Sequence, residues 1–490
     1  MDNKDKYYDL FSGGIILFIA VVQLARWGML PQFIDDYFHL HQALGFIKAG
    51  GWSGIAFWDY APFGRPNLYP PFYHILIAFL LKLGWGKIFV LKIINILISI
   101  SFFTVVWYVL RKVFSSFFGF LNLLILFSTF SFYESVCANS PATLALIFVF
   151  VSFFFLKQQR LKKSLVFAVL AFYTHAGISW AFFLSLLFAS FYQRQYLKVA
   201  TGAFLFYLPL LWHQLKYIGY FHQGILFENF FIHFNPTLLI LSLVGIMVAF
   251  KRRERYAWLL LFSFSLFMVF FRYPFRILSA QGVVGLSLLS TLALEYLYGL
   301  IRERYRGVYM AFILIFFLFF NCSIVRHKDK FYFYPLYASL SQFISGNFSS
   351  FLEFRNIASS RYFRKVVKLI KRNTASSDIV GSNIPIASEI LGALCNRSVS
   401  SSMLTEVSPF RRPNPLRANL IVWFRQLNQR ATIFPQKEKE LCRDVLYEDD
   451  ISFVCRTDSL YKEKVIKTKF HFIYIYILLV SLLAFLAFSD

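Results

Sequence analysis

The feature that most constrains this chain is a series of apolar windows separated by short basic clusters. Each window is about 16 to 24 residues long, and about 20 apolar residues in a helix span the hydrocarbon core of a bilayer. Hydrophobic side chains make up 58% of the sequence and aromatic ones 21%, well above an ordinary soluble domain. The sequence therefore predicts a polytopic α-helical membrane protein of about 12 spans, at residues 12–30, 88–110, 115–133, 141–156, 162–174, 177–192, 198–214, 229–250, 256–271, 275–298, 307–324 and 470–488.

Two apolar segments, on either side of the loop at residues 31–73, need separate interpretation. The apolar run from Leu10 to Leu30 is long and no small-residue cleavage site follows it, so we interpret it as a retained span rather than a signal peptide. The apolar segment from Pro70 to Gly84 is too short for a comfortable crossing. We expect that segment to be interfacial or re-entrant.

The formal net charge of +25 is explained by topology rather than by nucleic acid. When the segment 70–84 is left out of the count, the basic loops all fall on one side, which the positive-inside bias assigns to the cytoplasm. These loops are residues 111–112, 157–163, 194–198, 251–255 and 302–306. The first loop, residues 31–73, then faces the extracytoplasmic side, and no nucleic-acid partner is expected.

The character of the chain changes after residue 325. Residues 1–325 form the predicted transmembrane region, residues 326–469 carry ordinary polar content, and residues 470–490 hold a final apolar span. Helix-like and strand-like segments alternate at 361–372, 378–382, 386–394 and 450–456, which predicts an α/β domain on the extracytoplasmic side. Cys442 and Cys455 could pair in an oxidising compartment or remain free thiols, and the five cysteines show no metal-ligand spacing.

The stretch from residue 33 to residue 73 concentrates the polar and aromatic side chains that could carry chemistry. Asp35 and Asp36 directly follow the first span, where a carboxylate could accept a proton from a nucleophile or help to hold a divalent cation. The alternative is a helix N-cap without catalytic function. His39 and His41 follow within the same segment and could contact a phosphate or a metal, or could be ordinary interfacial histidines. Asp59 adds a second acidic position in the loop.

Further candidates lie at the predicted outer ends of other apolar segments. His74 and His175 occupy depths where a polar group is costly unless it faces a cavity. Glu134 follows the third span and would share the outer surface with Asp35, as a two-carboxylate or metal-assisted mechanism requires; the alternative is a plain interfacial carboxylate. Arg272 and Arg276 flank Pro274 on the outer side, where they could bind a lipid phosphate or anchor the chain at the headgroups.

Several familiar active-site motifs are missing from the sequence. It contains no P-loop, no GxGxxG after a strand, no GxSxG elbow and no HExxH. This argues against a nucleotide-driven pump, a dehydrogenase, a serine hydrolase and a zinc protease of the usual kinds.

The first loop and its setting resemble the GT-C superfamily of membrane glycosyltransferases. The span followed by DDYFHLH looks like the start of the catalytic subunits of archaeal and bacterial oligosaccharyltransferases. The segment PNLYPPFYHILIAFLLKLG is similar to the proline-proline stretch of protein O-mannosyltransferases and lipid A aminoarabinose transferases. The chain departs from oligosaccharyltransferases in lacking their Trp-Trp-Asp-Tyr-Gly signature, and its second acidic motif is a single Glu.

The resemblance implies a role for each candidate residue. Asp35 would take the place of the catalytic or metal-binding carboxylate, with Asp36 as a close second and Glu134 as the second acid. A divalent cation, Mg²⁺ or Mn²⁺, would be held by Asp35 and Glu134. Arg272 and Arg276 would bind the lipid phosphate. The other candidate substrate-binding residues are His39, His74 and His175.

These residues together predict an integral membrane glycosyltransferase in the cell membrane. It would move a sugar from a polyprenyl-phosphate-linked donor to a lipid, glycan or protein acceptor on the extracytoplasmic face, within a membrane whose lipids are its other partners. The alternative is a non-catalytic scaffold or transporter-like subunit. A transporter, however, should carry charges near the bilayer midplane, whereas here they cluster at the outer interface.

Overall fold

A computed structural model describes most of the chain. The residues it describes are 3–31, 33–138, 140–222, 232–271, 273–327, 330–345, 361–403, 406–414, 418–424, 442–449, 452–459, 461–468 and 470–471. Their α-helices are α1 Asn3–Ala25, α2 Ile34–Ala49, α3 Phe72–Lys82, α4 Lys87–Val113, α5 Ser116–Ser128, α6 Phe130–Ala138, α7 Ser140–Lys157, α8 Leu161–Phe172, α9 Ala176–Ala189, α10 Arg194–Lys216, α11 Pro236–Lys251, α12 Arg253–Phe270, α13 Pro274–Leu278, α14 Gly282–Leu300, α15 Arg306–Ile315, α16 Leu336–Ser345, α17 Arg361–Asn373 and α18 Pro385–Cys395.

Short strands connect these helices in the loops, and longer ones follow in the last third of the chain. They are β1 Gly51–Trp52, β2 Ile55–Ala56, β3 Arg65–Pro66, β4 Ile232–Phe234, β5 Cys322–His327, β6 Lys330–Pro335, β7 Ile379–Ser382, β8 Ser398–Val399, β9 Leu420–Phe424, β10 Cys442–Glu448, β11 Ser452–Thr457 and β12 Phe470–His471.

The apolar helices identify a membrane protein. In the described part of the chain, four helices are long and apolar enough to cross a bilayer, at Asp5–Gly28, Lys87–Val113, Ser140–Lys157 and Gly282–Leu300. The pair α5 and α6 would add a fifth if it is one broken span. Shorter apolar helices of 10–17 residues accompany them, including α3, α9 and α11. The prediction of 12 spans stays a prediction, and residues 472–488 of the last one fall outside the described residues.

Several predicted spans have different shapes from those expected. The span predicted at 275–298 is broken between α13 and α14, the one at 229–250 is helical only from Pro236, and residues 470–471 of the last one form β12. The span predicted at 115–133 is interrupted at Thr129, where α5 and α6 meet at an angle of 83°. The span predicted at 307–324 is helical only as far as Phe320, and β5 begins at Cys322. Apolar composition alone does not distinguish a straight span from a bent or truncated one, because both bury the same side chains. The segment 70–84, predicted not to cross, forms α3, which has 11 residues.

Close helix packing sets the geometry of the bundle. Gly245 of α11 lies so near α14 that a Cβ atom would stand 1.9 Å from the carbonyl oxygen of Leu289. On the other side of α14, the Asn122 amide of α5 donates hydrogen bonds to the hydroxyls of Ser287 and Thr291, at 3.2 and 3.1 Å. Small and polar residues of this kind allow helices to approach closely in a bilayer, where water cannot drive their association.

The last third of the chain forms a five-stranded mixed sheet in the order β10-β11-β9-β7-β8. β7 runs parallel to both β8 and β9, and α18 makes the crossover from β7 to β8. β7, β11, α17 and α18 lie where the sequence predicts strands and helices. A disulfide joins Cys442 of β10 to Cys455 of β11, which settles the choice that the sequence leaves open between a pair and two free thiols. The domain boundaries at 325 and 469 stay predictions.

The first loop is held between the helical bundle and this sheet. The N–H of Val399 on β8 donates to the carbonyl of Trp58, and the N–H of Ala61 donates to the carbonyl of Val399, both at 2.8 Å. Lys48 at the end of α2 forms an ion pair of 2.9 Å with Glu463. Further along, β12 pairs with β1 in antiparallel fashion. Residues 33–73 therefore have a defined structure although they are a loop by sequence.

The glycine contact between α11 and α14 gives a first prediction. Gly245→Ala should destabilise the protein by about 3 kcal/mol or more, because the new methyl group meets helix backbone that cannot rotate away. Gly13→Ala on α1 is the matched control, since nothing lies within 4 Å of its added Cβ. Thermal midpoints in detergent, read by size-exclusion chromatography, should fall only for Gly245→Ala. Equal midpoints would contradict the close packing.

Candidate active site

Asp35 and Asp36 lie in the first turn of α2, after the extended residue Phe33 at the N-cap position. They are therefore not the N-cap itself, although a carboxylate in the first turn is still favoured by the helix dipole. The two side chains differ in their surroundings. Asp36 is buried and acts electrostatically on Tyr37 and Tyr73, whereas Asp35 is half-buried.

Asp35 and four residues linked to it by electrostatic interactions form a group that we name the Asp35 cluster: Asp35, Tyr69, His175, Arg276 and Glu406. Burial raises the pKa of Asp35 to about 6; the Arg276 guanidinium opposes this rise and the Glu406 carboxylate adds to it. Arg276, Asp35 and Glu406 also act on the buried phenol of Tyr69, and Arg276 acts on His175. The first loop, the turn before α9, α13 and a segment after β8 each contribute to this cluster.

The charged side chains of the Asp35 cluster make no polar contacts with the described part of the protein. Among the described residues, the side chains of Asp35, Arg276 and Glu406 form no hydrogen bond and no ion pair shorter than 4 Å. Half-buried charges are costly to keep without partners. Two acids and one guanidinium in this state are available to a ligand that carries both hydrogen-bonding groups and an anionic group.

The predicted substrate-binding histidines are neutral in this structure. The rings of His39 and His74 share a hydrogen bond of 2.8 Å between Nδ1 and Nε2, and burial lowers the pKa of His39 to about 3 and that of His74 as well. Burial also lowers the pKa of His175 to about 3, and its Nδ1 accepts a hydrogen bond from the N–H of Ile178 at the start of α9. These rings therefore act through hydrogen bonds rather than charge, and their contact with substrate stays a prediction.

Two other predicted residues have different positions. Glu134 lies half-buried on α6, where it acts electrostatically on Tyr334 of β6, whereas the electrostatic neighbours of Asp35 are Arg276 and Glu406. Arg272 lies outside the described residues. The catalytic and metal-binding roles of Glu134 and the phosphate-binding role of Arg272 stay predictions.

A second set of polar residues is fully buried where α2, the first loop and α18 meet. Its core is His41 of α2, Asp59 of the loop and Glu389 of α18, none of them more than 2% exposed. The Nδ1 atom of His41 lies 2.8 Å from Oε1 of Glu389 and 3.4 Å from Oδ1 of Asp59. The other ring nitrogen, Nε2, donates to the backbone carbonyl of Arg397 at 3.0 Å.

Asp59 in turn is held by two side chains from its own surroundings. Its Oδ2 atom accepts hydrogen bonds from Arg65 Nη2 at 2.7 Å, Arg65 Nε at 3.0 Å and Gln42 Nε2 at 2.9 Å. Its Oδ1 atom is buried without a hydrogen-bond partner in the described structure, whereas the Glu389 carboxylate also has the Ser402 side chain as a neighbour. All the hydrogen bonds of Asp59 therefore converge on one oxygen and leave the other directed toward His41.

The pKa values in this buried set reflect its mutual charges. Burial lowers the pKa of His41, but the adjacent Glu389 carboxylate, its hydrogen bond and the Asp59 charge together raise it above the ordinary value. Burial and the charge of Asp59 raise the pKa of Glu389. In the absence of any ion, the group thus keeps a proton between His41 and Glu389.

Sequence analysis did not identify Glu389 or Arg65 as functional candidates. Glu389 is the single carboxylate in the otherwise apolar helix IASEILGAL, and Arg65 is the single cation between Asp59 and Lys82. A lone charge on an apolar helix is a detectable signal, because such a residue is seldom buried without a partner. Its partner, 348 positions earlier in the chain, is not detectable from spacing.

The described residues grouped closely enough to hold a metal ion belong to this buried set and not to the predicted pair, Asp35 and Glu134. Among the described residues, His41, Asp59 and Glu389 are the one group of three potential ligands whose ligand atoms all lie within 4.8 Å of one another. Neither Asp35 nor Glu134 belongs to it. A metal held by those two residues stays a prediction.

Comparison with known proteins gives matches in structure only. No protein-family model matches the sequence, and no curated protein matches it. The crystal structure of ArnT from Cupriavidus metallidurans bound to undecaprenyl phosphate superposes with a TM-score of 0.55 at 12% identity, covering 91% of this chain and 98% of ArnT. The same enzyme in the apo state gives a TM-score of 0.52 with the same identity and coverage. An archaeal oligosaccharyltransferase, AglB from Archaeoglobus fulgidus with an inhibitory peptide and a dolichol-phosphate, is less similar, at a TM-score of 0.47 and 11% identity over 85% of this chain and 69% of AglB.

The two ArnT structures match this chain along nearly the whole length of both proteins. At 12% identity such a match establishes the fold and not the substrate. The chain therefore shares its fold with ArnT, in agreement with the resemblance inferred from the first loop.

Proposed function

We propose that the protein is an integral membrane glycosyltransferase that uses a polyprenyl-phosphate-linked sugar donor. The acceptor is a lipid, a glycan or a protein, and the reaction takes place on the extracytoplasmic face. The observation that carries this proposal is the Asp35 cluster, in which a base and a guanidinium interact electrostatically and have no hydrogen-bond or ion-pair partners among the described residues.

Asp35 is suited to the role of general base. With a pKa of about 6 it is mostly ionised at neutral pH, yet it is basic enough to accept a proton as the acceptor attacks. In this step the acceptor oxygen or nitrogen forms a bond to the anomeric carbon of the sugar. The bond from that carbon to the phosphate oxygen breaks, and the acceptor proton moves to Asp35.

Arg276 is suited to stabilise the leaving group. The bond-breaking step returns an electron pair to the lipid phosphate, which gains negative charge. A guanidinium binds such a phosphate through charge-assisted hydrogen bonds, and the described structure leaves the donors of Arg276 unused. Since the departing phosphate supplies the driving force, no nucleotide site is needed, in agreement with the missing nucleotide motifs.

Likeness of fold supports the choice of donor. One of the two ArnT structures was solved with undecaprenyl phosphate bound. We extend that donor class to this chain because Arg276 and Asp35 give it a cation and a base in one place. A divalent cation held by Asp35 and Glu134 remains the metal-dependent form of the proposal, to be tested by transfer in the presence of a chelator.

The first functional prediction concerns the base. Asp35→Asn should reduce the transfer of radiolabelled sugar from polyprenyl-phosphate donors in membranes by about 10²-fold or more, because an amide cannot accept the acceptor proton. The matched control is Asp458→Asn, the same chemical change at a carboxylate that is 81% exposed. It should transfer sugar like the wild type. A folded Asp35→Asn variant with undiminished transfer would refute the assignment.

The second functional prediction concerns pH. Below a pH of about 6 Asp35 is protonated, so the rate should rise about tenfold for each pH unit and become level above that value. Arg276→Ala removes the positive charge that lowers the pKa of Asp35, so the rising limb should move to higher pH. Arg276→Lys keeps a charge and should move it less. Initial rates between about pH 4.5 and 8.5 measure the limb, and an unmoved limb in Arg276→Ala would show that another group is the base.

A further inference from the structure

We propose that His41, Asp59 and Glu389 form a binding site for a divalent transition-metal ion, with Zn²⁺ as the first candidate, and that this ion joins the first loop to α18. The site differs from the metal position implied by the resemblance, which involves Asp35 and Glu134. It does not depend on the proposed function, because a metal in this place would hold two parts of the chain together whatever the reaction is.

The ligand atoms have the separations that such an ion requires. A tetrahedral zinc ion with bonds of about 2.0–2.1 Å to nitrogen and oxygen keeps its ligand atoms roughly 3.3 Å apart. The Nδ1 atom of His41 lies 2.8 Å from the Glu389 oxygen and 3.4 Å from the Asp59 oxygen, values on either side of that distance. All three ligand atoms lie within 4.8 Å of one another. Shifts of a few tenths of an ångström to about 1.5 Å would therefore complete the three contacts.

The atoms of these side chains that would not contact the ion are hydrogen-bonded as they are in known metal sites. A metal-bound histidine normally donates its other ring N–H to a carbonyl or a carboxylate, and ligand carboxylates are themselves hydrogen-bonded. His41 donates from Nε2 to the Arg397 carbonyl, so Nδ1 is the nitrogen left for a metal. Asp59 receives three hydrogen bonds on Oδ2 and none on Oδ1. Of the atoms that would bind the ion, Oδ1 of Asp59 has no hydrogen-bond partner in the described structure, and Nδ1 of His41 and Oε1 of Glu389 are bonded to each other, so the ion would replace that bond.

The side-chain chemistry selects the class of ion. One imidazole nitrogen with two carboxylate oxygens is a mixed set that suits Zn²⁺ and related first-row ions, whereas Mg²⁺ and Ca²⁺ prefer oxygen alone. With a neutral His41, the charges of Arg65, Asp59 and Glu389 sum to −1, so a cation is attracted. A proton on Nδ1 is the competing occupant, but it bonds Oε1 of Glu389 and leaves Oδ1 of Asp59 without a hydrogen-bond partner in the described structure.

The His41 ring is also fixed from the other side. A Cβ atom on Gly392 of α18 would stand 2.8 Å from Cε1 and 2.9 Å from Nε2 of the ring, so the glycine allows α18 to lie directly against it. Since Glu389 and Gly392 are one turn apart on the same helix, α18 supplies both a ligand and the surface that orients the histidine.

Metal content tests the proposal directly. Full-length protein is purified in detergent without metal-affinity resin, and transition metals are counted by mass spectrometry. We expect on the order of one zinc per chain in the wild type and less than about a tenth of that in Glu389→Gln and His41→Gln. Asp35→Asn and His213→Gln are matched controls for a carboxylate and a histidine outside the site, and both should keep the metal. Loss of the ion in Asp35→Asn but not in Glu389→Gln would place it at the other position and overturn the proposal.

A second measurement uses only the wild-type protein, so it does not depend on whether the variants fold. The wild type is stripped with a chelator and its thermal midpoint is followed as Zn²⁺ or Mg²⁺ is added. A site of this kind binds only the folded state, so Zn²⁺ should raise the midpoint by several degrees and Mg²⁺ should not. Wild-type protein that contains no stoichiometric metal and is unaffected by Zn²⁺ would refute the site and would assign a proton to His41 in its place.

Discussion

The structure around the first loop depends on the burial of four ionisable side chains at one point: His41, Asp59, Arg65 and Glu389. Removing such groups from water costs several kcal/mol each, and the cost is offset only if every charge finds a partner with good geometry. Arg65 and Asp59 come from the loop, His41 from α2, and Glu389 from a helix far along the chain. The loop cannot take this conformation unless α18 is already packed against it.

The buried contacts of His41 also fix the position of Asp35, because both residues belong to α2. Asp35 begins the helix and His41 lies six residues later, about 9 Å along its axis. The helix is held at His41 by α18 and at its far end by the ion pair between Lys48 and Glu463. Asp35 is therefore presented on a helix that both parts of the chain hold in place. A base needs such fixed placement, because a displacement of about 1 Å can cost a large factor in rate.

The polar groups around His41 and around Asp35 differ in burial and in hydrogen bonding, and the difference suits them to different roles. At His41 the charged groups are buried and hydrogen-bonded within the protein. The exception is Oδ1 of Asp59, which faces His41 without a hydrogen-bond partner in the described structure. At Asp35 the charges are half-buried, and those of Asp35, Arg276 and Glu406 make no hydrogen bonds with the described residues. The first arrangement suits a permanent structural contact or a resident ion. The second suits a substrate that arrives and leaves.

The sequence by itself determined the membrane class, the α/β character of the last third and the segment that carries Asp35, because these follow from local composition and periodicity. It also indicated the fold, since the resemblance carried by the residues beside the first span agrees with the structural match to ArnT. Only the tertiary structure decided which residues meet. The bend between α5 and α6 leaves no trace in hydropathy, Glu406 looks like an ordinary surface residue in the sequence, and the lone charge of Glu389 on an apolar helix does not indicate its partner. They reach Asp35 and His41 because β7, α18 and β8 fold back over the first loop, and contacts across more than 340 positions are set by packing rather than by spacing.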